Sequence, residues 1–207
     1  MVKEGFPFVI IPLIVGLGLI VFGLWIVAAG VFLLAAFMAY FFRDPNRTIP
    51  VGDNLILSAA DGRVTRIENN ENGKLVSVFL SPLNVHVNRS PIAGTIEKIE
   101  YISGNKGPAT NDKASLLNER NSLTIAGDKM TVVCTQIAGI LARRIVCWNK
   151  EGDSLKSGEK FGMIKFGSRT DLLMPTGVEV RVHVGDRVTG GETVIASLPE
   201  SNGNGRT

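Results

Sequence analysis

Hydrophobic and polar positions divide the chain into two parts with different periodicities. From Gly5 to Phe42 no residue is charged. A single helix over this run would be about 57 Å long, whereas the hydrocarbon core of a bilayer is about 30 Å thick. The run therefore predicts two shorter helices in a membrane hairpin, with a turn near Gly23-Leu24-Trp25. One tilted span followed by an interfacial helix is the alternative.

Basic residues flank the apolar run on both sides, with Lys3 before it and Arg43 and Arg47 after it. Because basic flanks stay in the cytoplasm, both ends are expected there. A cleaved signal peptide fits poorly, since its apolar region spans only about 7–15 residues. Residues 1–48 are therefore predicted to anchor the rest of the chain to the cytoplasmic side of the cell (inner) membrane.

After Pro50, short Val/Ile/Leu runs alternate with Gly, Asn, Asp and Pro, a texture typical of an all-β barrel or sandwich. Residues 76–80, 122–125 and 130–134 are predicted as strands, and 140–146 as a strand or a short helix. We expect a mainly β fold, with one β domain over residues 49–200. The Gly/Asn-rich tail, 201–207, is expected to be disordered.

An internal repeat is visible in this second part. The pattern Gly-Asp-x-x-x-x-Gly-Glu occurs over residues 152–159 and again over 185–192. Each copy leads into an apolar run. Turns of this kind occur in barrel-sandwich hybrid folds, the architecture of lipoyl and biotinyl domains. The repeat therefore predicts two related β motifs packed as a barrel-sandwich hybrid-like domain.

Composition excludes some classes of function. A net charge of +3 and a charged fraction of 20% give no indication of a nucleic-acid partner. The two cysteines, Cys134 and Cys147, lack the spacing and companions of a zinc site, and no metal site is predicted. Both cysteines lie in apolar runs, which indicates buried free thiols.

Few residues are suited to catalysis at neutral pH. In Gly167-Ser168 a nucleophilic hydroxyl follows a residue without a side chain, so the serine could attack the preceding peptide bond if a base takes its proton. An isolated Gly-Ser is usually only a turn. Of the two histidines, His86 would share a strand face with Asn84 and Asn88, a polar face suited to a site or to solvent.

The other candidates have simpler explanations. His183 would share a face with Glu179 and Arg181, which is typical of a solvated strand. Asp61 precedes Gly62 in an Asp-Gly pair, and such pairs usually form turns.

Five segments, in order, resemble the pyruvoyl-dependent phosphatidylserine decarboxylases, in particular their short prokaryotic type. They are Phe41-Phe42-Arg43-Asp44-Pro45, Ala59-Ala60-Asp61-Gly62-Arg63-Val64, the segment from Leu80 to Pro91, the segment from Gln136 to Val146, and the stretch Phe161 to Asp171 around Gly167-Ser168. Each motif alone is weak, but their order is specific. Archaetidylserine decarboxylases look similar at these motifs, so diacyl and ether lipids both stay open as substrates.

The resemblance implies a proenzyme that cuts itself between Gly167 and Ser168, leaving a β chain, an α chain and a pyruvoyl group derived from Ser168. It implies decarboxylation of phosphatidylserine to phosphatidylethanolamine through a Schiff base with that group, without metal or pyridoxal phosphate. The implied partners are the lipid substrate in the membrane and the enzyme's own two chains as a heterodimer. A higher oligomer stays open.

The resemblance also assigns roles to particular residues. It places Asp61 near Ser168, where the aspartate orients or polarises the base, as in a Ser-His-Asp triad. Longer family members have two histidines spaced three apart in the segment that here holds His86 and Arg89, and the second is taken as the partner of the aspartate. Either His86 takes both roles, or Asp61 acts with another group. Asn88 and Arg89 are candidate ligands for the substrate's carboxylate or phosphate, and Arg169 is a further option.

Two rival functions stay open. A lipoyl- or biotinyl-type carrier would need a lysine at a hairpin tip, and Lys165 matches that pattern only faintly. A non-catalytic membrane-anchored adaptor with a barrel-sandwich domain usually has long helical hairpins with heptads, which this sequence lacks.

Overall fold

Two apolar helices form the N-terminal part of the chain. The structure is a computed structural model that describes residues 1–104, 118–139, 144–165 and 168–199. A short 3₁₀ turn over Lys3–Gly5 precedes α1 (Phe6–Val21), and α2 spans Trp25–Phe41. Gly23 lies between them with φ +75°, a conformation that glycine adopts without steric penalty. The turn therefore precedes Trp25, which is the first residue of α2.

The helices pack through a glycine. A Cβ on Gly16 would lie only 2.5 Å from Cε1 of Phe32, so the absence of a side chain in α1 makes room for the α2 ring. The Val2 amide donates to the Phe42 carbonyl at 3.0 Å, which brings the two ends of the hairpin together. Within the described residues, one helical stretch, Lys3–Val21, is long and apolar enough to cross a bilayer, with a mean hydropathy of 2.2. The helical unit covers Met1–Asn46.

The second unit, Arg47–Thr207, is built from β-strands, which confirms the expectation of a mainly β protein. The predicted strands at 76–80 and 122–125 lie within two of them, and the one at 130–134 coincides with a third from residue 131 onwards. Of the segment 140–146, the described part, from 144, is strand. The strands of the described residues are β1 Leu55–Leu57, β2 Gly62–Asn70, β3 Gly73–Leu80, β4 Val87–Arg89, β5 Gly94–Ile102, β6 Arg120–Ala126, β7 Thr131–Ala138, β8 Arg144–Cys147, β9 Ser154–Leu155, β10 Lys160–Lys165, β11 Ser168–Met174, β12 Glu179–Val180, β13 Arg187–Val188 and β14 Val194–Ser197.

These strands form three antiparallel sheets around one apolar core. The largest has the order β13-β2-β3-β11-β7-β6-β5-β9, and two three-stranded sheets have the orders β4-β10-β8 and β1-β14-β12. Buried side chains from all three sheets, such as Leu80, Phe161 and Ile195, belong to a single cluster. The chain moves from the β4-β10-β8 sheet into the large sheet between Lys165 and Ser168, where the predicted cleavage site lies.

The Gly-Asp-x-x-x-x-Gly-Glu repeat is also a repeat of structure. The first glycines, Gly152 and Gly185, have φ of +89° and +102°, and the second, Gly158 and Gly191, have φ of +73° and +79°. Gly152 donates to the Ile96 carbonyl and Gly185 to the Val64 carbonyl, both at 2.8 Å. Gly158 donates to Ser90 and Gly191 to Ser58, also at 2.8 Å. Each turn therefore hydrogen-bonds with an equivalent earlier segment of the chain, and the acceptor residues of the two segments are 32 positions apart.

A reciprocal pair of hydrogen bonds joins the two halves of the repeat, at the segment around Leu57–Ala59 and the segment around Arg89–Pro91. The Leu57 amide donates to the Pro91 carbonyl at 2.8 Å, and the Arg89 amide donates to the Ala59 carbonyl at 2.9 Å. These pairs exchange places under the 32-residue shift, so the halves are related by a local pseudo-twofold axis. The axis places β4 directly beside the segment that leads to Asp61. The closer comparison with lipoyl and biotinyl domains stays a prediction.

Candidate active site

Ser168 begins β11 and is completely buried between β3 and β7, with Leu80 and Ala138 opposite it in register. Its Oγ makes no hydrogen bond with any residue that the structure describes. A buried hydroxyl without a partner is unfavourable, and such groups in native proteins often have a catalytic role. Gly167, the other half of the predicted cleavage site, lies outside the described residues.

His86 directly precedes β4 and is also completely buried. Its Nδ1 lies 2.9 Å from the Asn84 carbonyl oxygen. Because a carbonyl only accepts, Nδ1 carries the proton and Nε2 is the basic nitrogen of the neutral ring. The His86 carbonyl accepts from the Ile164 amide at 3.2 Å. Ile164 lies four residues before Ser168, so the chain limits their Cα separation to about 14 Å.

The expectation that Asn84, His86 and Asn88 share one strand face is wrong for Asn84. The strand begins only at Val87, and Asn84 closes a turn by accepting at Oδ1 from the Ser81 amide at 2.9 Å and the Ser81 hydroxyl at 2.7 Å. This Asn-closed turn interrupts the alternation. It also fixes the carbonyl that sets the tautomer of His86.

Asp61 is held by groups other than His86. The Arg47 Nη2 lies 2.9 Å from both carboxylate oxygens, and the Gly190 amide donates to Oδ1 at 2.8 Å. The Arg47 side chain also reaches Glu192, with Nη1 3.6 Å from Oε2. The Asp61 and Arg47 side chains are only 17% and 9% exposed, so this pair is shielded from solvent more than a typical surface ion pair. The structure thus gives Asp61 a cationic partner, but not the histidine.

Asn88 and Arg89, the candidate substrate ligands, face different surroundings. Asn88 is completely buried, and its Oδ1 accepts from the Gln136 amide at 2.8 Å. Arg89 is 8% exposed and donates to the Gly158 carbonyl at 3.1 Å. It also lines an open cleft of about 360 Å³ together with Arg47 and Lys156. Arg89, unlike Asn88, therefore lies beside a volume that a ligand could enter.

The neighbouring charges are mostly paired. Arg169 follows Ser168 but, by strand alternation, occupies the opposite face of the sheet, where its Nε lies 2.9 Å from Asp171 Oδ1 and its Nη2 donates to Oδ2 at 3.1 Å.

His183 is exposed, as expected, with its side chain 89% accessible. Cys134 is buried, Cys147 is half-buried, and both are free thiols.

Sequence reasoning missed two residues near the site. Arg47 was interpreted only as a basic flank of the apolar run, although its guanidinium holds Asp61. Gln136 belongs to a quoted motif, but it had no assigned role although it hydrogen-bonds with Asn88. No local signal identifies either contact, because both partners are distant in the chain.

Among the described residues, the buried Ser168 hydroxyl has no hydrogen-bond partner, and the buried His86 ring has a defined tautomer. A hydroxyl and an imidazole are the groups that a serine-histidine enzyme site requires. The family model for phosphatidylserine decarboxylase matches residues 34–196. The chain belongs to the phosphatidylserine decarboxylase family, a family of carboxy-lyases, which confirms the resemblance noted in the five motifs.

Relatives from several bacteria match over nearly their whole length. A protein of Burkholderia pseudomallei strain 1106a is 41% identical over 205 residues, covering 96% of this chain and 95% of the relative. One from Xanthobacter autotrophicus is 43% identical, covering 95% and 88%. One from a Wolbachia of Brugia malayi is 43% identical, covering 97% and 92%. All three are named phosphatidylserine decarboxylase proenzyme.

Proposed function

We propose that this chain is a proenzyme that cuts itself between Gly167 and Ser168 and then decarboxylates phosphatidylserine to phosphatidylethanolamine. The family and the name of its relatives support the reaction. The single observation that carries the position of the cut is the completely buried Ser168 Oγ without a hydrogen-bond partner among the described residues. An unsolvated hydroxyl is ready to attack once a base removes its proton.

His86 is the base of this proposal. With Nδ1 donating to the Asn84 carbonyl, the ring presents Nε2 as its basic atom. Nε2 takes the Ser168 proton while Oγ attacks the Gly167 carbonyl carbon, which converts the peptide bond into an ester. Loss of the residue 168 α-proton and cleavage of the Cβ–Oγ bond then release the β chain, ending at Gly167, and leave dehydroalanine. Water hydrolyses the dehydroalanine to the pyruvoyl group and ammonia. In turnover, His86 Nε2 returns a proton to the substrate's α-carbon after carbon dioxide has left.

Asp61 acts with Arg47 in this proposal. Its carboxylate is already engaged by Arg47 and the Gly190 amide, which fix it at the turn beside β4. Of the two alternatives that the sequence leaves open, these contacts favour an aspartate that works with a group other than His86.

Position 168 suits a pyruvoyl group. The group would replace the first residue of β11, buried between β3 and β7 where Leu80 and Ala138 exclude water. When present, it supplies a carbonyl that accepts the substrate's amine and takes up the electron pair left by carbon dioxide. The two chains would stay together as a heterodimer, because β11 pairs along its length with strands of the β chain.

Arg89 is the proposed ligand for the acidic headgroup, with Asn88 supporting its strand. A guanidinium matches a carboxylate or phosphate through two parallel hydrogen bonds. Arg89 borders the 360 Å³ cleft with two further cations, Arg47 and Lys156, which would attract an anionic headgroup. The helical hairpin would hold the domain at the cytoplasmic face of the cell membrane, where the acyl chains of the substrate remain.

Intact mass of the denatured, purified protein tests this function, with Ser168→Ala as the comparison. We expect two fragments from the wild type, one ending at Gly167 and the other starting with a pyruvoyl-blocked residue in place of Ser168, and one uncut chain from the variant. Carbon dioxide release would then be measured on diacyl and ether serine lipids in mixed micelles. A single uncut chain in both samples would favour a membrane-anchored adaptor.

A further inference from the structure

Three buried side-chain amides form a connected polar group in the interior of the β unit. Gln136 on β7 and Asn88 on β4 are completely buried, and Asn121 on β6 is 3% exposed. Burying an amide is unfavourable unless both of its ends are hydrogen-bonded. None of the three needs to touch the reacting atoms for the proposed chemistry, so their presence requires another explanation.

The three amides form a chain of hydrogen bonds in which each side chain donates to the next acceptor. The Asn121 Nδ2 donates to Gln136 Oε1 at 3.0 Å, the Gln136 Nε2 donates to Asn88 Oδ1 at 2.8 Å, and the Asn88 Nδ2 reaches the Ala59 carbonyl at 3.5 Å. The last bond is long. Because the Ala59 carbonyl can only accept, it fixes the orientation of Asn88 and therefore of the other two amides. Gln136 must donate on one side and accept on the other.

This amide chain connects β4 and the segment before Asp61 with β7, the strand that pairs with β11. Gln136 lies opposite Thr170 on β11, two residues after Ser168 and therefore on the same face of the sheet. Asn88 follows His86 by two residues, and Ala59 precedes Asp61 by two. Thr170, Asn88 and Ala59 are thus each two residues away from a proposed site residue. The three segments that hold them are distant in sequence.

Gly162 packs closely against one side of the Gln136 amide. A Cβ at Gly162 of β10 would lie 3.1 Å from Gln136 Nε2 and 2.2 Å from the Val146 carbonyl oxygen. Gly162 pairs with Asn88 at a bulge between β10 and β4. The amide therefore sits against the point where the strand of His86 and the strand leading to Ser168 meet.

We propose that Gln136 is a positioning residue for self-cleavage: its amide holds the β4 segment against the β7–β11 face and so sets the distance between His86 and Ser168. This inference rests on the proposed function. Gln136 acts through Asn88 and touches no reacting atom. A side chain of equal length that cannot donate leaves the two segments packed but free to shift, and a displacement of about 1 Å can slow a reaction by about 10²-fold.

The test follows self-cleavage of the full chain made by cell-free synthesis in detergent, with precursor and fragments measured by mass. The variants are Gln136→Glu and Gln136→Met. Thr135→Val is the matched control, because the Thr135 and Ser122 hydroxyls, 2.9 Å apart, join the same two strands without contacting β4. We expect Gln136→Met to cleave at least tenfold more slowly than the wild type at every pH, and Thr135→Val to cleave at nearly the wild-type rate.

Gln136→Glu separates positioning from packing. A buried carboxyl stays protonated to a higher pH than an exposed one, and while protonated it donates to Asn88 as the amide does. The described partners of Gln136 – Asn121, Asn88, Thr170 and Gly162 – do not titrate. Two thiols lie close by, Cys147 beside Asn121 and Cys134 on β7, and burial raises the pKa of both, so the rates are compared below pH 9. Dividing by the wild-type rate at each pH removes the titration of His86. We therefore expect the relative rate to approach the wild type at low pH and to fall as pH rises.

Three results would overturn the proposal: wild-type cleavage in both Gln136 variants, equal slowing in Thr135→Val, or a relative rate of Gln136→Glu that does not change with pH. Asn121→Ala provides a milder variant in case Gln136→Met does not fold. It keeps the Gln136–Asn88 bond, so its cleavage should slow by less than that of Gln136→Glu at high pH. Failure of the proposed function itself is distinguishable, because the wild type would then remain uncut.

Discussion

At the scale of single residues, Arg169 and Asp171 form a buried ion pair beside the proposed cleavage site. Their side chains are 3% and 8% exposed and share two contacts of about 3 Å. Such a pair adds little net stability, because desolvation offsets the attraction, but losing one partner leaves an uncompensated buried charge. The start of β11 should therefore be sensitive to a substitution that removes only one member of the pair.

Arg169→Met should lower the free energy of unfolding by about 3–5 kcal/mol, because it leaves the Asp171 carboxylate buried without its cation. The double variant Arg169→Met, Asp171→Leu should recover most of that loss. Urea unfolding of the purified protein in detergent measures both. Since Arg169 faces away from Ser168, the folded double variant should still cut itself. A double variant no more stable than the single one would contradict this account of the pair.

Ionisation of Cys134 should lower the folding stability of the protein at alkaline pH. Burial, with the nearby Asp171 carboxylate, raises the pKa of the Cys134 thiol from 9.0 to about 12. The unfolded thiol ionises first, so this contribution to stability is complete below pH 9 and is lost as pH rises from 9 towards 12. Cys134→Ala should be less stable at pH 7 because it leaves a small cavity, but its stability should fall less steeply between pH 9 and 11. Equal slopes in urea titrations would exclude this role for the thiol.

At the scale of elements, turns and longer strands were predictable and the pairings were not. The two Gly-Asp turns followed from glycines that take positive φ, and β3, β6 and β7 followed from apolar runs. β4 has three residues, too few for a periodic signal. The contacts that build the site, Arg47 with Asp61 and Gln136 with Asn88, depend on how strands assemble in space. Ser168 and His86 could be found because a self-cleaving serine and a neutral-pH base have few candidates here.

A substitution at Gly162 would test how tightly β10 and β8 pair. A Cβ at this position would lie 2.2 Å from the Val146 carbonyl oxygen, a backbone atom that cannot move aside without breaking the strand pair. Gly162→Ala should therefore lower the thermal unfolding midpoint by several degrees and slow self-cleavage, because β10 leads to Ser168. Gly177→Ala is the matched control, since no atom lies within 4 Å of its Cβ position. Equal midpoints for the two variants would show that β10 can relax locally.

At the scale of the whole molecule, the proposed helical anchor would decide on which side of the membrane catalysis occurs. α1 and α2 have 16 and 17 residues, or about 24 and 26 Å at 1.5 Å per residue, somewhat shorter than a hydrocarbon core of about 30 Å. A modest mismatch of this size can be met by local thinning of the bilayer. The Val2–Phe42 hydrogen bond joins the start of the hairpin to its end. Residue 1 and residue 43 should therefore lie on the same side of the membrane.

Protease protection with an epitope added before Met1 tests that arrangement. In right-side-out vesicles of an expressing bacterium, we expect both the epitope and the β domain to be protected, and in inverted vesicles both should be digested. The basic residues Lys3, Arg43 and Arg47 give the physical reason, because basic flanks are retained on the cytoplasmic side. If the epitope and the β domain were digested in opposite preparations, the chain would cross the membrane once. The hairpin would then be wrong, and the site could still face the cytoplasm only with its N-terminus outside.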